Sequence, residues 1–187
     1  MNKNFVTALA LMIIATALYR VIPGRPYGFA PQIAVALFAG AIFRSNKKTA
    51  FLLPILSMLI SDIFYQLLYI NGLSEIAGFY SGQWENYLLF SAVTCVGFII
   101  KNNKIATIAG ASILGPTAFF LVSNSLVWLS GGGYQRSLNF SGWLTCLSDG
   151  LPFYQYSVLS TVVFSAIFFG VFSLLNKTVL NNNNNIA

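Results

Sequence analysis

Residues 49–70 read Thr-Ala-Phe-Leu-Leu-Pro-Ile-Leu-Ser-Met-Leu-Ile-Ser-Asp-Ile-Phe-Tyr-Gln-Leu-Leu-Tyr-Ile, a run with one charge, Asp62. An α-helix crosses the hydrocarbon core of a bilayer with about 20 apolar residues, so this stretch is long enough alone. Five further apolar segments flank it: Phe5–Ile22, Phe29–Phe43, Asn86–Ile100, Ile105–Leu129 and Pro152–Leu175. Residues 29–43 and 86–100 are short for a full crossing, and their ends are soft. The expectation is an all-α polytopic membrane protein of about six transmembrane helices. It forms one domain over residues 1–180, followed by a disordered, Asn-rich tail at 181–187. No internal repeat is found.

Composition agrees. Of 187 residues, 57% are hydrophobic and 7% charged, and mean hydropathy is +0.73. Soluble domains carry about 25% charged residues, so 14 charges cannot cover a water-facing globule. Histidine is absent, which removes the usual general base and the commonest metal ligand. No nucleophile-elbow, zinc-protease or ATP-binding loop pattern occurs. No enzyme activity, metal or cofactor is therefore expected. Cys95 lies in an apolar run and Cys146 in an expected loop, so no disulfide is expected.

Basic residues orient the chain. One side holds Lys3, Arg44, Lys47, Lys48, Lys101, Lys104 and Lys177 with no acid; the other holds Arg20, Arg25 and Arg136 with Glu75, Glu85 and Asp149. Basic loops stay in the cytoplasm, which predicts both termini inside, in a bacterial inner membrane. The net charge of +6 then reflects those loops and anionic lipid, not nucleic acid. Lys3, the run from Phe5 and Ala15-Thr16-Ala17 have the shape of a signal peptide. Because the run continues to Ile22, it reads as the first membrane helix, and the loop charges orient the later helices identically either way.

Cytoplasmic connections are short (44–48, 101–104). The outer ones (23–28, 71–85, 130–151) are longer and rich in Gly, Pro and aromatics, where function tends to sit. Asp62 is a candidate by default, since burying it ionised is expensive. Tyr65 and Gln66 follow at i+3 and i+4 on the same face, with Tyr69 a turn later. Pairing of Asp62 with an arginine such as Arg20 is the structural alternative. Ser123-Asn124-Ser125 with Trp128 offers an amide and an indole for a ligand, or else interhelical glue and an interfacial belt. Gly131-Gly132-Gly133 lacks the Lys-Ser/Thr of a phosphate loop. It turns the chain over the helix ends, beside Tyr134 and Arg136, as a lid hinge or an interfacial loop would. Arg20, Arg25 and Arg136 make an anionic ligand plausible, or anchor to headgroups. The candidate ligand-binding residues are Asp62, Tyr65, Gln66, Asn124 and Trp128 lining one outward cavity, with Arg20 and Arg136 at its rim and Tyr134 on the lid. Small residues four apart (Ala36/Gly40, Ala106/Gly110, Ala166/Gly170) permit close helix approach.

Residues Phe29–Phe43, Pro54 through Ser61-Asp62, Ser123-Asn124, Val127–Gly132, Tyr134, Arg136 and Leu151-Pro152-Phe153 resemble a family of small bacterial membrane proteins. That family is similar to the substrate-binding S components of energy-coupling factor (ECF) transporters. The resemblance implies a six-helix bundle and an outward pocket for a small, vitamin-like or micronutrient solute. It also implies a transmembrane partner subunit and two cytoplasmic ATPases. S components often carry Ala-x-x-x-Ala in helix one for docking that subunit; Ala8, Ala10, Ala15 and Ala17 form no such pair. The alternative is a scaffold of the MreD type, or an accessory subunit of a larger membrane complex.

Overall fold

The computed structural model describes the backbone of residues 3–101 and 104–184 and the side chains of 5–101 and 104–175. Among these, the regular elements are six helices: α1 Lys3–Arg20, α2 Gln32–Ile42, α3 Lys47–Ile70, α4 Gln83–Gly97, α5 Ile105–Leu129 and α6 Phe140–Asn184. Three are long and apolar enough to cross a membrane: Lys47–Ile70, Ile105–Leu129 and the Phe140–Leu175 part of α6. Their length and composition point to membrane association.

The core is built on α2. Its residues are apolar on every side, and such a helix must be surrounded. From Gln32 to Gly40 each residue is buried, with α3, α4, α5 and α6 packed around it. At 11 residues, α2 spans about 16 Å. Its partner α4 comes close enough for backbones to touch: a Cβ on Gly40 would strike the Thr94 carbonyl, and one on Gly97 would sit 2.5 Å from Leu37 O. Leu37 and Gly40 thus meet Gly97 at a close crossing, so of the Ala36/Gly40 pair it is Gly40 that lies at the contact. A Cβ on Gly110 or Gly170, in contrast, would have no atom within 4 Å, so those two spacings mediate no approach within the described residues. Phe38 completes the core, meeting Phe168, Phe169 and Phe172 edge-on at 6.0, 5.3 and 5.9 Å.

At the Arg44 end, caps close the helices. Asn46 Oδ1 accepts from Thr49 N at the start of α3. Arg44 reaches across to the Phe98 carbonyl and, at 2.6 Å, to Ile100 O just past the end of α4, where helical carbonyls lack partners.

The largest departure from expectation is α6, which begins at Phe140 instead of Pro152. Proline favours the first turn of a helix, which is why the sequence reads as starting there. Asn139 starts the helix earlier: its Oδ1 accepts from Gly142 N at 2.8 Å and its carbonyl from Trp143 N at 3.0 Å. The added turns are tied to α5 by Trp143 Nε1 donating to Ser125 Oγ at 2.9 Å and by Cys146 Sγ against Asn124 O at 3.5 Å. Cys146 is therefore a buried helical residue, not a loop residue. The expected 130–151 loop shrinks to 130–139. Within it Gly131 and Gly133 have φ of +70° and +62°, and Gly132 N donates to Val127 O at 3.0 Å. The triplet is a C-terminal cap for α5. α6 runs to Asn184 and so includes the first four residues of the tail expected at 181–187; residues 185–187 and the side chains after Leu175 lie outside the described residues.

Candidate functional site

All candidate residues lie toward the Arg20 end of the bundle, and of them only Asn124 lines either of the two cavities described below. They form three groups with different hydrogen bonding.

The first group surrounds Asp62, which is 1% exposed. Arg20 Nη1 pairs with Asp62 Oδ1 and donates to Ser61 Oγ at 2.7 Å. Gln83 Nε2 and Tyr87 OH both donate to Oδ2, the latter at 2.7 Å. A carboxylate in a low-dielectric interior needs this many partners. Tyr65 OH donates to Arg20 O at 2.6 Å, and the Arg20 guanidinium lies 5.4 Å from the Tyr65 ring centroid. Arg25 is occupied by Arg20 O and Phe29 O at 2.7 and 3.2 Å and by Tyr65 OH at 3.3 Å. Gln66 holds the α3–α4 connection, its Oε1 accepting from Gly78 N and Phe79 N at 3.2 and 3.3 Å. A Cβ on Gly78 would collide with Asp62 O, so the connection is pressed directly onto α3. In that connection, burial pushes the Tyr80 phenol above its ordinary pKa, and its hydroxyl accepts from Asn86 Nδ2 at 2.8 Å. Arg20, Asp62 and Tyr65 thus share one hydrogen-bonded network, and Gln66 pins the α3–α4 connection beside it.

The second group is the α5–α6 connection. Trp128 Nε1 donates to Ser137 O at 2.9 Å. Arg136 binds Asp149 through two hydrogen bonds, at 2.8 and 3.0 Å, which raise the arginine's already high pKa. Its guanidinium lies 5.2 Å from the Tyr134 ring centroid, and Tyr134 is 75% exposed.

The third group is open. A cavity of about 190 Å³ lies between the start of α2, α4, α5 and α6, lined by Gln32, Phe90, Phe119, Phe120, Asn124 and Tyr154 among others. Asn124 Nδ2 donates to Phe120 O at 2.9 Å. Its Oδ1 lies against Gly150, where a Cβ would come within 2.5 Å of it. Gly150 therefore lets α6 approach without displacing the amide. Gln32 is 2% exposed, and among the described residues neither its Oε1 nor its Nε2 has a hydrogen-bond partner. Over 90% of buried polar groups are satisfied, so an orphaned carboxamide beside a cavity marks a place for something that supplies the missing bonds. A larger groove of about 490 Å³ between α1 and α6 has almost wholly apolar walls. Its buried hydroxyl, Thr16, already bonds Ile13 O and Ser57. It offers a ligand only surface that lipid also covers. Trp128, Tyr134 and Arg136 line neither the cavity nor the groove.

A family model described as a family of unknown function (DUF6580) matches residues 1–183. The chain belongs to DUF6580. No curated protein and no solved structure matches it. In this DUF6580 chain, the sequence reading missed Gln32, Gln83 and Tyr87. Gln83 and Tyr87 stand at i and i+4, one face of α4, a signal present in the sequence. Gln32 is the one amide in the apolar run 29–43, yet its orphaned state depends on which helices surround it.

Proposed function

We propose that this protein is an integral membrane subunit that binds a small solute inside its helix bundle, as the substrate-binding component of an uptake transporter. The observation that carries the reading is the buried Gln32 carboxamide, unpartnered among the described residues, on a residue that lines the same cavity as Asn124. Ligand pockets pair apolar walls with a few placed polar groups, and this cavity has that make-up. The basic loops favour six spans with both termini in the cytoplasm of a bacterial inner membrane. The resemblance of residues 29–43, 54–62, 123–124, 127–132, 134, 136 and 151–153 to a family that is itself similar to S components favours coupling to a transmembrane partner and cytoplasmic ATPases of the ECF type.

Native mass spectrometry of protein purified from its own membranes tests the binding reading: a retained small molecule is expected, and its loss in Asn124→Ala ties it to the cavity. Co-expression with ECF modules tests the partner. Uptake independent of ATP, with the protein always isolated alone, overturns that part. Cysteines placed at Gly82 and Gly132 should react from outside and at Asn46 should not.

A second reading, a scaffold of the MreD type, draws on the Asp62 group, because a scaffold packs its polar faces shut. A protein that retains no solute but captures membrane protein partners would favour it.

A further inference from the structure

We infer that the Gln32–Asn124 cavity takes an uncharged, single-ring solute bearing an amide-like edge, a hydrogen-bond donor beside an acceptor. The inference rests on the solute-binding reading above and specifies its ligand.

Charge is the first discriminant. Among the described residues, no Asp, Glu, Lys or Arg lines the cavity. The arginines at this end are engaged elsewhere: Arg20 by Asp62 and Ser61, Arg25 by two carbonyls and Tyr65, Arg136 by Asp149. An ionised solute would lose its hydration with no counter-ion, which is prohibitive. The anionic ligand that the three arginines left open therefore has no cation to meet here.

The polar group supplies the second. The Gln32 carboxamide presents a donor NH2 and an acceptor carbonyl side by side, and both are unpartnered among the described residues. A solute with only a donor or only an acceptor leaves half of it unsatisfied. Both atoms are buried as the side chain stands, so a lactam, carboxamide or ureido edge pairs them once the amide swings into the cavity.

Size and walls give the third. A cavity of about 150 Å³ holds benzene, so about 190 Å³ admits one ring with a small substituent. Phe90 and Phe119 stand stacked at 4.8 Å, and Phe120 and Tyr154 lie 4.8 Å apart. The Tyr154 hydroxyl is taken up by Thr117 Oγ1 at 2.8 Å. The aromatic walls thus offer ring faces, which suit a planar guest.

The test uses purified full-length protein in detergent, titrated calorimetrically with benzamide, benzoate and toluene at millimolar concentration. These share a ring and differ in edge and charge. Benzamide should bind at least about tenfold more tightly than either of the others, the loss expected for one unsatisfied buried hydrogen-bonding group. Gln32→Met keeps the shape and should abolish the preference without lowering the melting temperature; Asn124→Ala should reduce it. Benzoate binding as tightly as benzamide overturns the uncharged class and leaves the solute-binding reading standing. A preference that survives Gln32→Met overturns the role of Gln32. If none of the three binds, water alone fills the cavity and the inference fails. The solute-binding reading is then decided separately by whether native protein retains a molecule.

Discussion

Two polar groups sit toward the same end of the bundle, one around Asp62 and one around Gln32, and their hydrogen bonding is opposite. Asp62 carries a formal charge, the strongest functional signal in a membrane segment, yet Arg20, Gln83 and Tyr87 saturate it. Gln32 is neutral and inconspicuous, yet among the described residues both ends of its amide are bare. Charge in an apolar helix therefore reports that something must pair with it, not that the partner is a ligand. An unmet hydrogen bond is the more specific mark of a missing guest.

The comparison breaks most visibly at the ion pair. Asp62→Ala leaves the part-buried Arg20 without its counter-charge and Gln83 and Tyr87 without their acceptor, and should destabilise the fold by up to about 3–5 kcal/mol, measured as lost yield and melting temperature. Arg20→Met combined with Asp62→Leu should cost less than the sum of the single changes. A well-folded Asp62→Ala that merely fails to bind solute would make Asp62 a ligand residue and erase the contrast.

Gly150→Ala should be next in size. The added methyl meets Asn124 Oδ1 and Phe120 Cε2 at 2.5 and 2.9 Å, and overpacking of this kind costs about 1–3 kcal/mol. Solute retention should fall as the amide is displaced, whereas unchanged retention would remove Asn124 from the site.

Gln32→Met should move stability the other way. Leaving a buried polar group unpaired costs about 1–3 kcal/mol, so its removal should raise the melting temperature by a corresponding amount. A fall instead would mean that Gln32 already has a structural partner. The smallest effect belongs to Arg136→Gln at the exposed α5–α6 connection, where the Asp149 pair is open to solvent and no measurable shift in melting temperature is expected.

Much of the architecture was legible from the chain. Segments 49–70 and 105–129 are helices almost to the residue, because long apolar runs between basic or Gly-rich breaks leave little choice. The pairing of Asp62 with Arg20 was legible as one of two alternatives. Illegible were the start of α6, where an Asn cap outweighs the Pro152 signal, and the separation of Asp62 from Asn124. Helical spacing gives the face that a residue occupies, not the helix that face meets.

By itself, then, the sequence determined that the chain carries runs long and apolar enough to cross a membrane, that it folds into helices, and where most of them run, because those follow from composition and period along one dimension. Only the tertiary structure decided which polar side chains are satisfied. That depends on distances between residues far apart in the chain: Gln83 and Tyr87 reach Asp62, and none of the described residues reaches the Gln32 amide.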